Sequence, residues 1–247
     1  MIKFPLQTAQ LFFSAPRLQA YLDEAQDYDQ ALDLYMWGSE VAGAFHATLS
    51  FLEIALRNAV DHQLKEWNGK ESSQVWTTRG DTRDELRAVA GKAIGAARKH
   101  AKKELERKGQ SPDVQPTHDQ ILAQFTFGNL SYLFIDPGYQ DGVSKKADRD
   151  TLWDEALKLA FPDEGQPIGK RVCSYQNGRM RIGRQLEHLR QLRNRVAHHD
   201  NLLHVDIRKE IHTINSVLSK MNTELPAVAM SKSQLRRLRR EDPRVQP

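Results

Sequence analysis

One stretch of the sequence, residues 192–200, concentrates side chains that can bind phosphate and transfer protons. It reads Leu-Arg-Asn-Arg-Val-Ala-His-His-Asp. In an α-helix Asn194 and His198 are four residues apart and share one face, and the long side chain of Arg193 can reach the same region. A separate apolar stripe consists of Leu189, Leu192 and Val196. The pattern predicts a helix that packs one face into the core and presents Arg, Asn and His on another.

These residue types suit metal-independent cleavage of RNA. Histidine takes up and releases protons near neutral pH, and the arginine fork matches two phosphate oxygens at once. We expect His198 to transfer protons, Arg193 to stabilise charge on the phosphate, and Asn194 to orient His198 or hold a phosphate oxygen. Attack by the 2′-hydroxyl of the RNA would leave a 2′,3′-cyclic phosphate and a 5′-hydroxyl. His199 and Arg195 are secondary candidates for contact with the substrate.

A similar pattern occurs earlier, at residues 56–62, which read Leu-Arg-Asn-Ala-Val-Asp-His. Arg57, Asn58 and His62 repeat the spacing of the first motif, so the two helices could form a composite site within one chain. The structural alternative is that Arg57 pairs with Glu53 one turn away and His62 lies on the surface. The sequence leaves both interpretations open.

Two other segments are strongly basic, although such charge runs are most often solvated surfaces. The first is the second half of a helix predicted between residues 81 and 108, where we expect contacts with RNA phosphates. Its candidate residues are Arg98, Lys99, Lys102 and Lys103. The second is the Arg-rich segment after Pro226, which is predicted to be a basic tail without fixed structure.

The composition is that of a globular protein without a membrane span. The chain has 247 residues, of which 39% are hydrophobic and 28% charged, and a net charge of +4 that permits binding to nucleic acid. It has neither a long apolar run nor a signal peptide, and its one cysteine, Cys173, fits a reducing compartment. We therefore expect a cytoplasmic protein. No motif for a metal or a cofactor is present, so none is expected.

The hydrophobic periodicity predicts an all-α protein without a significant sheet. We expect one helical domain over residues 1–225, followed by the basic tail at 226–247. Helices are predicted at about 16–25, 30–67, 81–108, 117–134, 149–161, from 176–179 to 199, and 204–221. Gly69 is predicted to be a left-handed cap after the second of them, and residues 162–169 are predicted to be a loop. The helix that carries the Arg-Asn-His motif should pack against the long helix near the N-terminus.

The motif at residues 193–199 resembles the signature of Abi-like (abortive-infection) proteins of the HEPN superfamily, in which an arginine precedes a histidine by about five residues. Segments 31–37, 51–59 and 125–130 also resemble that family. The resemblance implies a HEPN-like helical bundle and a metal-independent endoribonuclease. It further implies a homodimer through the Arg-x4-His helices, with Arg193 and His198 of both chains around one cleft. The second motif would then come from a second chain rather than from Arg57 and His62.

The same resemblance implies a biological role. An RNA-cleaving protein of this type would be a toxin-like effector of bacterial phage defence, controlled by a regulatory non-coding RNA or an antitoxin protein. The alternative is a non-catalytic RNA-binding or scaffold protein of a defence or toxin–antitoxin system. Exposure of Arg193 and His198 beside a basic cleft would favour the enzyme over this alternative.

Overall fold

A computed structural model describes residues 4–78, 80–135, 143–162 and 178–245. The described residues form helices and loops without any strand, which confirms the all-α prediction. The helices are α1 (Leu6–Phe13), α2 (Ala15–Leu22), α3 (Tyr28–Asn68), α4 (Asp84–Arg107), α5 (His118–Leu122), α6 (Phe127–Ser131), α7 (Val143–Glu155), α8 (Gly178–Ala197), α9 (Ile207–Met221), α10 (Leu225–Met230) and α11 (Leu235–Arg240). Cys173 and most of the loop predicted at 162–169 lie outside the described residues.

The long helix α3 is the axis of the bundle. It has 41 residues and begins at Asp27, whose carboxylate accepts a hydrogen bond of 2.8 Å from the backbone N–H of Gln30. At 1.5 Å per residue it is about 60 Å long, and it contacts α2, α6, α8, α9, α10 and α11. Its buried stripe includes Leu34, Val41, Phe45, Leu49, Leu52 and Leu56. Gly38 and Gly43 both lie within the continuous helix.

Helix α8 carries the Arg-Asn-His motif and packs against α3, α6 and α9. Its buried apolar side chains recur at helical spacing, which is why this face turns to the core. They are Ile182, Leu186, Leu189, Leu192 and Val196. The predicted packing of this helix against the long N-terminal helix is confirmed. The end of α8 at Val196 and Ala197 lies beside the first half of α3, where Tyr35 and His46 line the same groove.

The segment predicted as one helix at 117–134 is instead two short helices. Thr117 caps α5 and forms a capping box with Gln120, and Thr126 does the same for α6 with Asn129. Each box satisfies backbone N–H groups at a new helix start, so the chain turns between the two helices. Thr126 therefore ends a periodicity that the apolar residues alone would continue.

Two further predictions about helix ends were wrong. Helix α7 begins at Val143 rather than near residue 149, and a 3-10 turn follows it at Leu157–Ala160. The first residues of α7 are polar and lack an apolar repeat, so periodicity does not reveal them. Gly69 ends α3 with a right-handed backbone, at a φ of −66°, and not with the left-handed cap that its sequence position suggests.

The segment after residue 225 packs on the bundle in its described part. Helices α10 and α11 contact α3 and α9, and Leu235 and Leu238 are buried. The indole N–H of Trp37 donates a 2.8 Å hydrogen bond to the carbonyl of Leu238. The predicted domain boundary at 225 stays a prediction, but the basic residues beyond it are held on a folded helix. No described helix is long and apolar enough to cross a bilayer.

Candidate functional site

Helix α8 ends in a Schellman motif, which fixes where its polar side chains lie. The backbone N–H of Asp200 donates to the carbonyl of Arg195 at 2.8 Å, and that of His199 donates to Val196 at 3.2 Å. His199 has a φ of 54°, in the left-handed region. The motif places Arg193, Asn194, His198 and His199 on the last turns of a helix whose end reaches the surface.

The three residues predicted to be catalytic are accessible and unengaged. Arg193 and Asn194 are partly exposed, and His198 is exposed. Among the residues that the structure describes, none provides a hydrogen bond or ion pair to these three side chains. Arg195 differs, because its guanidinium donates to the backbone carbonyl of Asn201 and so closes the turn after α8.

The nearest acidic residue upstream on α8 is neutralised within the helix. Glu187 is 1% exposed and accepts two hydrogen bonds of 2.7 Å from the Arg190 guanidinium. This bidentate pair lowers the pKa of Glu187 and raises that of Arg190. The Glu187 carboxylate is therefore occupied nearly two turns before the motif and does not draw Arg193 into an internal ion pair.

A groove of about 630 Å³ opens at the end of α8, between that helix, α2 and α3. His199, His46 and Arg17 supply its cationic or titratable groups, and Tyr21 and Tyr35 supply an aromatic wall. Tyr35 stacks on Phe13 at 4.5 Å and meets the edge of Tyr21 at 5.1 Å, so the ring is held on two sides. Burial raises the pKa of the Tyr21 hydroxyl, which stays protonated and neutral.

Of the two neighbouring histidines, the one expected to be secondary is the one that lines the groove. His199, predicted to be the secondary residue, lines the groove, whereas His198 is exposed outside it. Sequence reasoning missed Arg17 and His46, which come from distant parts of the chain. One signal was available. Tyr35, Ser39, Ala42 and His46 follow helical spacing, so they form a mostly polar stripe beside the buried face of α3.

The second motif, on α3, lies apart from this groove. Arg57 is eleven residues beyond His46, which corresponds to about 16 Å along the helix axis. Its guanidinium pairs with Glu53 at 3.0 Å and donates to the carbonyl of Phe125 at 2.7 Å. Asn58 and His62 are exposed, and Nδ1 of His62 lies 3.1 Å from the Gln63 amide. Arg57 thus connects α3 to the segment between α5 and α6.

The surroundings of the second motif form a buried polar network. Asp61 accepts hydrogen bonds from Trp76 at 2.9 Å and His118 at 2.8 Å, and it pairs with Lys65 at 2.8 Å. Burial raises the pKa of Asp61, but the hydrogen bonds from His118, Lys65 and Trp76 outweigh it, and the net pKa is lowered. The His118 side chain is only 8% exposed, so this network stabilises the fold.

Comparison with known families identifies the chain. The sequence matches the family described as Abi-like protein over residues 4–204, which is most of its length. The chain belongs to the Abi-like family. The match includes α8 with the whole Arg-Asn-His motif and the α2 and α3 residues that line the groove. No curated protein and no solved structure shows significant similarity to it.

The four predicted RNA-binding residues on the basic helix α4 of this Abi-like protein are of two kinds, those that hydrogen-bond to loops and those that are exposed to solvent. Arg98 donates to the carbonyl of Thr77, and Lys102 donates to the carbonyls of Pro112 and Val114, the latter at 2.8 Å. These two predicted RNA-binding residues therefore hold loops against α4. Lys99 and Lys103 are exposed and remain predicted contacts for RNA.

One titratable pair fastens the motif helix of the Abi-like fold to its neighbour. Nε2 of His188 on α8 lies 2.9 and 2.8 Å from the two carboxylate oxygens of Glu210 on α9. This hydrogen bond raises the pKa of His188 above 6.5, against a smaller opposing effect of burial. Within the described residues, no cluster of three or more His, Cys, Asp or Glu is placed to hold a metal ion.

Proposed function

We propose that this Abi-like protein is a metal-independent endoribonuclease of the HEPN type, with Arg193, Asn194 and His198 as its catalytic residues. One observation carries the proposal. These three side chains lie on the last turns of α8, accessible and unengaged by the described residues, and the same helix end adjoins a groove lined by further nitrogen groups. A purely structural role would instead engage the guanidinium, as happens at Arg57.

The chemistry needs one bond to form and one to break. The 2′-oxygen attacks the adjacent phosphorus, the bond to the 5′-oxygen breaks, and the products are a 2′,3′-cyclic phosphate and a 5′-hydroxyl. His198 accepts the proton of the 2′-hydroxyl or donates one to the leaving oxygen, and Arg193 stabilises the charge on the phosphate. Asn194, one turn before His198 on the same face, orients the imidazole or binds a phosphate oxygen.

One chain presents a single accessible Arg-His pair of this kind on α8, whereas two-sided proton transfer is served best by two groups. A homodimer that brings together the ends of two α8 helices would supply the second pair in trans. The cis alternative requires Arg57 and His62. It has less support, because Arg57 is held by Glu53 and by the Phe125 carbonyl about 16 Å along α3 from the groove.

Membership of the Abi-like family supports a role in abortive-infection defence. An endoribonuclease in that role acts as a toxin-like effector, which requires control by a regulatory non-coding RNA or an antitoxin protein. The alternative, a non-catalytic RNA-binding or scaffold protein, predicts RNA binding without cleavage.

The test uses labelled RNA and purified full-length protein in EDTA. The wild type should cleave the RNA, and His198→Ala should be inactive at an unchanged melting temperature. The matched control is His212→Ala on α9, another exposed histidine, which should retain full activity. Full activity of His198→Ala would overturn the assignment of the catalytic residue. RNA binding by the wild type without any cleavage would favour the scaffold alternative.

A further inference from the structure

A second groove adjoins the groove at the end of α8, and a single residue of α3, Gly43, lies between the two. The second groove, of about 330 Å³, lies between α3 and the segment that leads into α11. Gly43 lines both grooves, and a Cβ at this position would meet no atom within 4 Å. The two depressions therefore meet over an exposed turn of α3 where the backbone is uncovered.

The first groove offers a surface for a base. Tyr35 is partly exposed and is fixed by contacts with Phe13 and Tyr21. Phe13 stacks on one face of the ring and Tyr21 packs against it, so a base contacts the part of the ring that stays exposed, with little loss of side-chain freedom. Arg17 is exposed in the same groove, together with His46 and His199. The acidic residue among the lining is Asp200.

The second groove leads to a row of positive charge. Helix α11 buries Leu235 and Leu238, and this register leaves its arginines exposed. They are Arg236, Arg237, Arg239 and Arg240. Arg237 pairs with Glu40 at 3.5 Å and also with Glu241, so the positive charge of the row comes from Arg236, Arg239 and Arg240. Lys232 adds a further exposed charge beside Gly43.

Resting on the proposed ribonuclease function, we infer that the two grooves form one binding track for single-stranded RNA. One base lies against Tyr35 beside His46 and His199, the chain crosses α3 over Gly43, and its next phosphates lie on the arginines of α11. The order of chemistry along the track matches a single strand, with an aromatic platform, an uncovered passage and then cations. It places the substrate beside the end of α8.

The test fills the passage and measures RNA binding apart from cleavage. The probe is a short fluorescent single-stranded RNA that is 2′-O-methylated at every position and so lacks the attacking hydroxyl. Gly43→Leu should fold as well as the wild type, because leucine favours a helix and the site is open. It should weaken binding by about tenfold, because the filled passage separates the contacts at Tyr35 from those at α11 and so removes roughly one base's share of the binding.

The matched control is Gly95→Leu on α4, a second exposed helical glycine with open space around its Cβ position. It should change the affinity by less than about twofold, as surface substitutions away from a site do. In NMR spectra of the wild type, the probe should shift the ring signals of His46 and His199 and leave those of His212 unchanged.

Unchanged affinity in a folded Gly43→Leu protein would overturn the inference. So would equal weakening by Gly95→Leu, which would direct the RNA to α4, or an absence of binding by the wild type. The experiments distinguish a wrong RNA track from a wrong proposed function. Cleavage with unshifted His46 and His199 signals would reject the track alone, and shifted signals without cleavage would reject the enzyme alone.

Discussion

His199 ends α8 in a conformation that glycine usually occupies. Its φ of 54° is costly for a residue with a Cβ, and the Schellman hydrogen bonds hold it there. The side chain lines the groove, and histidine is a residue type that can donate a hydrogen bond to phosphate. The strained conformation therefore places an imidazole in the groove, where a glycine would provide no side chain.

Replacement of His199 by glycine should therefore separate stability from RNA binding. His199→Gly should raise the free energy of unfolding by about 1 kcal/mol, because glycine adopts positive φ without the steric cost. The same variant should bind the methylated RNA probe more weakly. Urea unfolding and fluorescence anisotropy measure the two effects. A loss of stability would show that the left-handed conformation is not what costs energy here.

Arg57 and Arg193 share the local sequence Leu-Arg-Asn but have different surroundings. The alanine variant of Arg57 should therefore lose stability, and that of Arg193 should lose cleavage. Arg57→Ala removes the ion pair with Glu53 and the hydrogen bond to Phe125, and should cost about 1–3 kcal/mol of stability. Arg193→Ala should change stability by less than about 0.5 kcal/mol but abolish cleavage. Equilibrium unfolding and the RNA assay compare them. Intact cleavage by Arg193→Ala would remove this arginine from the mechanism.

At the scale of elements, the sequence predicts helices well where an apolar stripe is long. Helix α3 and the motif helix α8 lie where periodicity predicts them, because burial of one face stabilises each. Prediction fails where local capping competes with periodicity. The Thr117–Gln120 and Thr126–Asn129 boxes are visible in the sequence, but only the structure shows that both of them start helices.

The candidate site was predictable only in its local part. Arg193, Asn194 and His198 belong to one helix, so their spacing alone places them together. The approach of α2 and α3 depends on tertiary packing, and Arg17 and His46 are far from α8 in sequence. The sequence therefore predicts the grouping of Arg193, Asn194 and His198, whose catalytic role stays a prediction, but not the groove beside them. It also gives no sign that Arg98 and Lys102 are engaged by loop carbonyls.

The contact between α8 and α9 should depend on pH. The hydrogen bond to Glu210 raises the pKa of His188, so the fold favours protonated His188. Its stabilising contribution is complete below the unfolded value of 6.5 and is lost as pH rises through the folded pKa. The melting temperature of the wild type should thus exceed that of His188→Gln most at low pH. Thermal melts from about pH 5.5 to about pH 8.5 measure this difference. A difference that grows with pH would contradict the assignment.

At the scale of the whole molecule, the central question is how many chains build one site. Each described chain presents one accessible Arg-His pair at the end of α8, and its other Arg-His pair is about 16 Å away along α3 from the groove. We therefore expect a homodimer, with a mass near twice the 28.3 kDa of one chain. Light scattering on the eluted protein measures this mass.

A composite site across two chains should show dominant inhibition. An excess of His198→Ala protein, mixed with the wild type under conditions that exchange subunits, should lower the cleavage activity of the wild-type chains. Mixed dimers form and contain one defective motif, so their shared cleft is incomplete. Activity that depends only on the amount of wild type would show that each chain carries its own site. In that case, loss of cleavage in His62→Ala would identify the α3 motif as the second pair.

The chemistry of the RNA ends produced in EDTA tests the proposed mechanism most directly. Mass spectrometry of the fragments should show 2′,3′-cyclic phosphate and 5′-hydroxyl ends for the wild type and no fragments for His198→Ala. An RNA with a single 2′-deoxy sugar at the cleaved position should resist cleavage there, because the attacking hydroxyl is missing. Fragments with 3′-hydroxyl and 5′-phosphate ends, or cleavage at the deoxy position, would contradict attack by the 2′-hydroxyl and with it the proposed role of His198.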